Sequence, residues 1–188
     1  MKLGFIVEGQ GEVGALPVLA RRLADAAGVA VEIGRPVRIK RTLMTHRAEL
    51  ERAVNLVAAQ VGADGAIVLV LDADDDCPAE IGPRLLKAIS QIRSDRKSAV
   101  IVANREFEAW FLAGASSLRG KRGLPPDLGD HPNPELPRDA KGWLADRMPR
   151  GYSETIDQPA FAQLIDLALA RRAPSFDKLC RDLDRIMK

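Results

Sequence analysis

The sequence predicts an α/β protein: a mostly parallel sheet of about four strands with helices on both faces, followed by a C-terminal helical appendage. Three observations predict it. Short apolar runs alternate with segments of helical period along the first part of the chain. Runs such as Ala66-Ile67-Val68-Leu69-Val70-Leu71 are apolar at every position, as central parallel strands covered on both faces are. The composition, 46% hydrophobic and 29% charged over 188 residues, is that of a chain able to bury one core.

Taken in order, Leu3 to Val7 reads as a strand and Val13 to Ala27 as a helix. Two strands, Val29 to Ile33 and Val37 to Ile39, precede a helix over Arg47 to Val61. The strand Ala66 to Leu71, the helix Ile81 to Ile92, the strand Ala99 to Ala103 and a helix over Glu106 to Ala113 complete a core spanning residues 1–115. Residues 116–188 open with a basic, Pro/Gly-rich loop: Leu118 to Pro137 carries Arg119, Lys121, Arg122 and five prolines, a length more typical of a flap than of a simple connection. Helices over Lys141 to Met148, Pro159 to Arg172 and Phe176 to Met187 follow and pack on the core, the last with Ser175 as its N-cap.

Charge and rare residues limit the chemistry. With 28 basic and 26 acidic residues the net charge is +2, so no general field favours nucleic acid and such a partner must be argued from a local patch. Cys77 and Cys180 lie far apart and form no pattern, so neither a disulfide framework nor a thiolate zinc site is suggested. His46 and His131 are the only histidines, so any metal is expected to be a hard cation held by oxygen. The apolar run at the N-terminus is too short for a signal peptide and no stretch could span a bilayer, so a cytoplasmic location without a membrane partner is expected.

The acids are placed for that cation. Glu8 closes the first strand and Glu12 follows in the first turn of the next helix, a position that the helix dipole alone would favour. Beyond Leu71 come Asp72, Asp74, Asp75 and Asp76; Asp75 or Asp76 suits a helix start, but Asp72 and Asp74 sit at the strand end on one side. Such a cluster repels itself unless protonated or neutralised by a cation. After the fourth strand, Asn104 reads as a cap for a helix whose first turn holds Glu106 and Glu108, with Glu106 within the shared edge and Glu108 an ordinary helix-turn acid. Sites in such sheets gather at the carboxyl ends of the strands.

Other readings compete. Gly9, Gly11 and Gly14 form a G-x-G-x-x-G after a strand, the fingerprint of a dinucleotide-binding enzyme, but Glu8 and Glu12 stand where a pyrophosphate would want only backbone N–H groups. Asp72-x-Asp74 also matches the nucleophile motif of haloacid-dehalogenase-like phosphatases, except that Asp76 occupies the place of its hydroxyl residue. Basic residues cluster at Arg35, Arg38, Lys40 and Arg41, and Arg38 and Lys40 alternate with Val37 and Ile39, giving either a charge-protected edge strand or a strip that contacts phosphates. Phe107, Trp110 and Phe111 read as core rather than base-stacking groups.

Glu8-x-x-x-Glu12 followed by Asp72-x-Asp74 resembles the Toprim signature, in the version found in nucleases of the OLD (overcoming lysogenization defect) family. The chain as a whole, including Asn104 to Leu112 and the tail from Gly151 to Leu179, also resembles a bacterial family catalogued as a domain of unknown function, of the DUF 4276 kind. The resemblance implies a Toprim/Rossmann-like core and one or two Mg²⁺ or Mn²⁺ ions. It implies that Glu8, Glu12, Asp72 and Asp74 bind metal for phosphodiester chemistry; no lysine or tyrosine is assigned a role by motif. The expectation is therefore a metal-dependent hydrolase, a nuclease-like phosphodiesterase acting on DNA or RNA. Glu8, Asp72 and Asp74 are its expected catalytic residues, and Glu8, Glu12, Asp72, Asp74, Asp76 and Glu106 its metal ligands. Arg35, Arg38, Lys40 and Arg41 are expected to bind nucleic acid. A non-catalytic, Toprim-like regulatory module that binds metal or a protein partner is the alternative, and a dinucleotide-binding enzyme the third.

Overall fold

The computed structural model describes residues 1–188. In chain order it contains β1 (Lys2–Val7), α1 (Glu12–Ala26), β2 (Glu32–Ile33), β3 (Val37–Arg38), α2 (Arg41–Met44), α3 (Arg47–Val61), β4 (Ala66–Asp72) and α4 (Pro78–Ile92). There follow β5 (Lys97–Ala103), α5 (Ala109–Ala113), a 3₁₀ turn (Ala115–Leu118), α6 (Ala140–Ala145), α7 (Glu154–Leu164), α8 (Leu167–Ala170) and α9 (Pro174–Met187). The sheet runs β2-β1-β4-β5 and every pairing is parallel. β3 also pairs β1, at Ile6 and Val7, while β2 pairs it at Lys2 and Leu3. The two short strands are halves of one edge strand, interrupted where Pro36 has no N–H to give the ladder.

The period of two along each strand divides the interior. Leu3, Phe5 and Val7 lie in register with Ala66, Val68 and Val70, and these with Ala99 and Ile101, facing one side. Ile6, Ile67, Leu69, Leu71, Val100 and Val102 face the other, where α3 and α4 cover them. Gly4 fits the approach of α3, since a Cβ there would collide with Val57 and Val61.

The first side holds 35 buried residues against 17 on the second, because α1 and nearly the whole C-terminal segment pack there. Phe107, Trp110 and Phe111 form its centre. Trp110 meets Phe107 at 4.2 Å and Phe176 at 5.3 Å between ring centroids, and Phe111 meets Phe161 at 5.5 Å. All three central rings are buried, as their apolar context predicts.

Several local readings are corrected. The segment read as one helix from Pro159 is two: α7 already starts at Glu154, and a break at Ile165 lets Asp166 cap α8 by accepting from the N–H groups of Ala168 and Leu169. Ser175 does not cap α9, which begins at Pro174. Its hydroxyl instead accepts the Trp110 indole N–H at 2.8 Å. Asn104 caps no helix either, because Arg105 is left-handed (φ 67°) and α5 starts only at Ala109.

Between Arg119 and Asp139 there is no regular element, as expected for the loop, but local bonds pin it. Asp130 accepts from the Ser116 N–H and pairs with Arg172. Glu135 accepts from the N–H of Ser175 at the start of α9 and from Asn104 beyond β5. Arg122 forks onto the buried Asp157.

Candidate functional site

The chain leaves β1 toward β2 and β3 on one side and places β4 on the other, so the β1–β4 boundary is where strand order reverses, the place where open α/β sheets keep their ligands. Glu8 follows Val7 at this edge, and Asp72 ends the neighbouring strand opposite Ala103. Even positions of β4 face the larger core, so Asp72 continues the row of Val68 and Val70 and turns toward Phe107, whose N–H donates to its Oδ1 at 2.8 Å.

Glu12, in the first turn of α1, turns back over the β1–α1 loop. Its Oε2 accepts from the N–H groups of Glu8 (3.1 Å) and Gly9 (3.2 Å). Glu108 is the unexpected member. It precedes α5 and is fully buried, its Oε1 accepting from the Tyr152 hydroxyl and from Gln158 Nε2, both at 3.0 Å. Each of Glu12, Asp72 and Glu108 thus has one oxygen fixed by donors of the chain and a second with no hydrogen bond. For Glu108 that second oxygen is buried, as is Oε2 of Glu8.

The electrostatics follow from this burial. Desolvation pushes Glu12 up to about 7 against its two backbone donors, and the charges of Glu8 and Glu108 push the same way. Glu108 also rises to about 7 by burial, opposed by Lys141 and the Tyr152 bond. Asp72 is held well above the usual carboxylate range by burial and by the charges of Glu12 and Glu108. Glu8 is raised by burial and restrained by Arg41. Lys141 faces the group from α6: burial favours its neutral form, but Glu108, a bond to Glu154 (2.9 Å) and Asp72 raise it overall. Burial and Glu108 likewise raise Tyr152, which keeps its proton.

The remaining expected residues form an outer layer. Asp74 is exposed and left-handed (φ 51°), and Asp76 is exposed and paired with Arg41 at 2.5 Å. Arg41 also donates to the carbonyls of Asp72 and Ala73 and stands 3.9 Å from Glu8 Oε2, so its guanidinium is engaged with the acids. Arg38 donates to the Glu8 carbonyl at 3.0 Å; Arg35 and Lys40 are exposed and form no ion pair. Glu106 accepts from the N–H of Lys141 at 3.0 Å and so fixes the start of α6 against this edge.

No three acids stand in ligating positions around one point. Mutual repulsion keeps uncompensated carboxylates apart, and their donors anchor them singly. The donor chemistry nevertheless fits a hard divalent cation: oxygens only, two of them buried without a hydrogen bond.

Sequence reasoning missed Glu108, Lys141, Tyr152 and Gln158. For Glu108 a signal existed, as it is the single charged residue in the otherwise apolar run Phe107 to Ala113. The others arrive from α6, from α7 and, for Tyr152, from the connection between them, and carry no local mark. The glycines of the G-x-G-x-x-G are used within the chain. Gly9 lies over the Glu12 carboxylate, Gly11 has the Glu154 carbonyl 2.5 Å from where a Cβ would be, and Gly14 meets Pro159 at 3.0 Å. α7 therefore covers the loop where a pyrophosphate would need to rest.

Fold and site together define a parallel α/β protein with a buried carboxylate group at its switch point. Residues 7–184 match the family described as "Domain of unknown function (DUF4276)", and the chain belongs to that family. No curated protein and no solved structure matches it. No helix is long and apolar enough to cross a membrane.

Proposed function

We propose that the protein is a divalent-metal-dependent, nuclease-like phosphodiesterase acting on DNA or RNA through the acids of the sheet edge. The observation that carries this reading is the half-anchored state of Glu12, Asp72 and Glu108, beside a buried Glu8 oxygen that accepts no hydrogen bond and has only the Arg41 guanidinium near it, at 3.9 Å. Orienting bonds that leave the other oxygen of a carboxylate free are what a metal site uses to aim its ligands. The parallel sheet is compatible with a Toprim-like fold, and Glu8-x-x-x-Glu12 with Asp72-x-Asp74 resembles the Toprim domain of OLD-family nucleases.

Glu8, Glu12, Asp72 and Glu108 would hold Mg²⁺ or Mn²⁺, with Asp74 at the mouth. When bound, the cation supplies Lewis-acid stabilisation of the charge that grows on a phosphodiester. The chain's own residues do the rest. The N–H groups of Glu8, Gly9 and Phe107 and the side chains of Tyr152 and Gln158 orient the acids. Lys141 stays cationic and adds a fixed positive charge beside them. Tyr152, keeping its proton, is a donor to Glu108 and not a nucleophile. Arg35, Arg38 and Lys40 offer cations along β3 for backbone phosphates.

Purified protein should nick or degrade nucleic acid with Mn²⁺ or Mg²⁺ and stop in chelator, with Glu8→Ala and Asp72→Ala each losing about 100-fold or more in rate. Wild-type rate in Asp72→Ala would sink the assignment. Mn²⁺ binding without cleavage of double-stranded DNA, single-stranded DNA or RNA would make the protein a non-catalytic metal- or partner-binding module instead.

A further inference from the structure

We infer that Arg105 and Arg138 form a subsite for a backbone phosphate of nucleic acid, covered in the free protein by the chain's own Asp75 carboxylate. This rests on the proposed substrate and adds to it two residues outside both the acid group and the β3 strip. Arg105 follows β5 and Arg138 ends the long loop, yet both reach Asp75 in the β4–α4 turn. Arg105 Nη1 lies 2.7 Å from Asp75 Oδ1, and Arg138 Nη1 lies 2.9 Å from Oδ1 and 3.2 Å from Oδ2. Two guanidiniums on one carboxylate leave a positive charge unmatched. The bonding pattern agrees, since only Nη1 of each arginine bonds within the chain and Nε and Nη2 of both are free for another acceptor. A phosphate, with more acceptor oxygens than a carboxylate and a geometry suited to the guanidinium fork, satisfies such a pair better.

The backbone is a second observation. Arg105 (φ 67°) and Asp74 (φ 51°) are left-handed residues on adjacent strand ends, locked together by Asp74 N–H to the Arg105 carbonyl and Arg105 Nη1 to the Asp74 carbonyl, both at 3.0 Å. Costly backbone of this kind persists where surrounding structure holds a side chain for a purpose. Asp75 is three residues beyond Asp72, at most about 10 Å of chain, so a phosphate between the arginines belongs to the strand whose neighbouring phosphodiester meets the acids. The Asp75 side chain is 69% exposed, so its exchange for a ligand desolvates little.

The test is fluorescence anisotropy with a short labelled single-stranded DNA at low salt in chelator, which reads binding without cleavage. Asp75→Asn should tighten Kd about fivefold and Arg138→Gln should weaken it about threefold, and Asp75→Asn should give no gain in an Arg105→Gln/Arg138→Gln background. Glu51→Gln, the same charge change on the exposed face of α3, should leave Kd unchanged. An unaltered Kd in Asp75→Asn overturns the subsite, and so does a gain that survives loss of both arginines or appears equally in Glu51→Gln. Displacement by inorganic phosphate that is lost in Arg138→Gln supports the pair, with a free phosphate as its ligand. Arginine-dependent binding in a protein that cleaves nothing leaves the subsite standing while the catalytic reading fails. Cleavage that persists while Kd ignores both arginines removes the subsite alone. Absence of any binding to DNA or RNA overturns both.

Discussion

Glu12 and Glu108 are buried and Asp72 half-buried at the sheet edge with no ion pair on any of them, whereas Asp74, Asp75 and Asp76, a few residues along the same edge, are exposed and each faces a guanidinium. The residue types are nearly the same; the surroundings are not. An exposed aspartate with an arginine keeps its charge at little cost and contributes little. A buried acid with only a hydrogen-bond anchor favours a proton or a cation, and burial accordingly pushes Glu12 and Glu108 up to about 7. The density of acids in the sequence therefore points to this edge, but burial decides which of them carry a charge the chain does not compensate.

The largest expected effect that could break this contrast is on catalysis. Glu108→Gln should reduce metal-dependent cleavage about 100-fold or more, as Asp72→Ala does, while Asp76→Asn should stay within about threefold of wild type. Equal losses would erase the distinction between the layers.

Stability against pH sharpens the comparison next. Glu12 and Glu108 titrate near 7 in the folded chain against an ordinary value of 4.5, so between those limits the folded state holds protons that the unfolded state has released. Their stabilisation is present below pH 4.5 and lost as pH rises through 7, on the order of 3 kcal/mol for each group. In chelator, Tm should be higher at pH 5 than at pH 8, and Mn²⁺ should raise it more at pH 8. A flat profile would place these acids in water.

The smallest effect concerns single charges without metal. Asp72→Asn at pH 8 in chelator should stabilise by about 1–2 kcal/mol, because its carbonyl still accepts from Phe107 while the buried charge is gone. Asp76→Asn should change stability by less than about 0.5 kcal/mol in a denaturant melt. A loss of stability in Asp72→Asn would count against a crowded anionic site.

The central strands were legible because each is a continuous apolar run: Ala66 to Leu71 and Ala99 to Ala103 are β4 and β5 to within two residues, whereas the run read from Val29 pairs only at Glu32 and Ile33. Glu8, Glu12 and Asp72 were legible for the same reason, since a strand end fixes its neighbour's position. Glu108 was not, because an apparent cap at Asn104 suggested a helix that the left-handed Arg105 prevents. Asp76 drew attention as part of a run, although a turn exposes it to Arg41. Lys141, Tyr152 and Gln158 reach the site only through the packing of α6, α7 and their connection against the larger core, which no local pattern encodes. The long loop was visible in its prolines, but not its bonds to Arg172 and Ser175.

The close approach of α7 to Gly11 also gives the molecule an order of assembly. As the chain leaves the ribosome, β1 to β5 and all the acids of the edge emerge before α7 exists. Until α7 docks on Gly11, Glu108 lacks Tyr152 and Gln158, and Phe111 lacks the ring of Phe161. Contacts between segments so distant in sequence close late, because loop-closure entropy opposes them until the packing is gained. A nascent chain stopped short of Gly151 thus presents an unshielded aromatic ridge beside uncompensated carboxylates. That late interval of synthesis is where aggregation and the demand for chaperones concentrate.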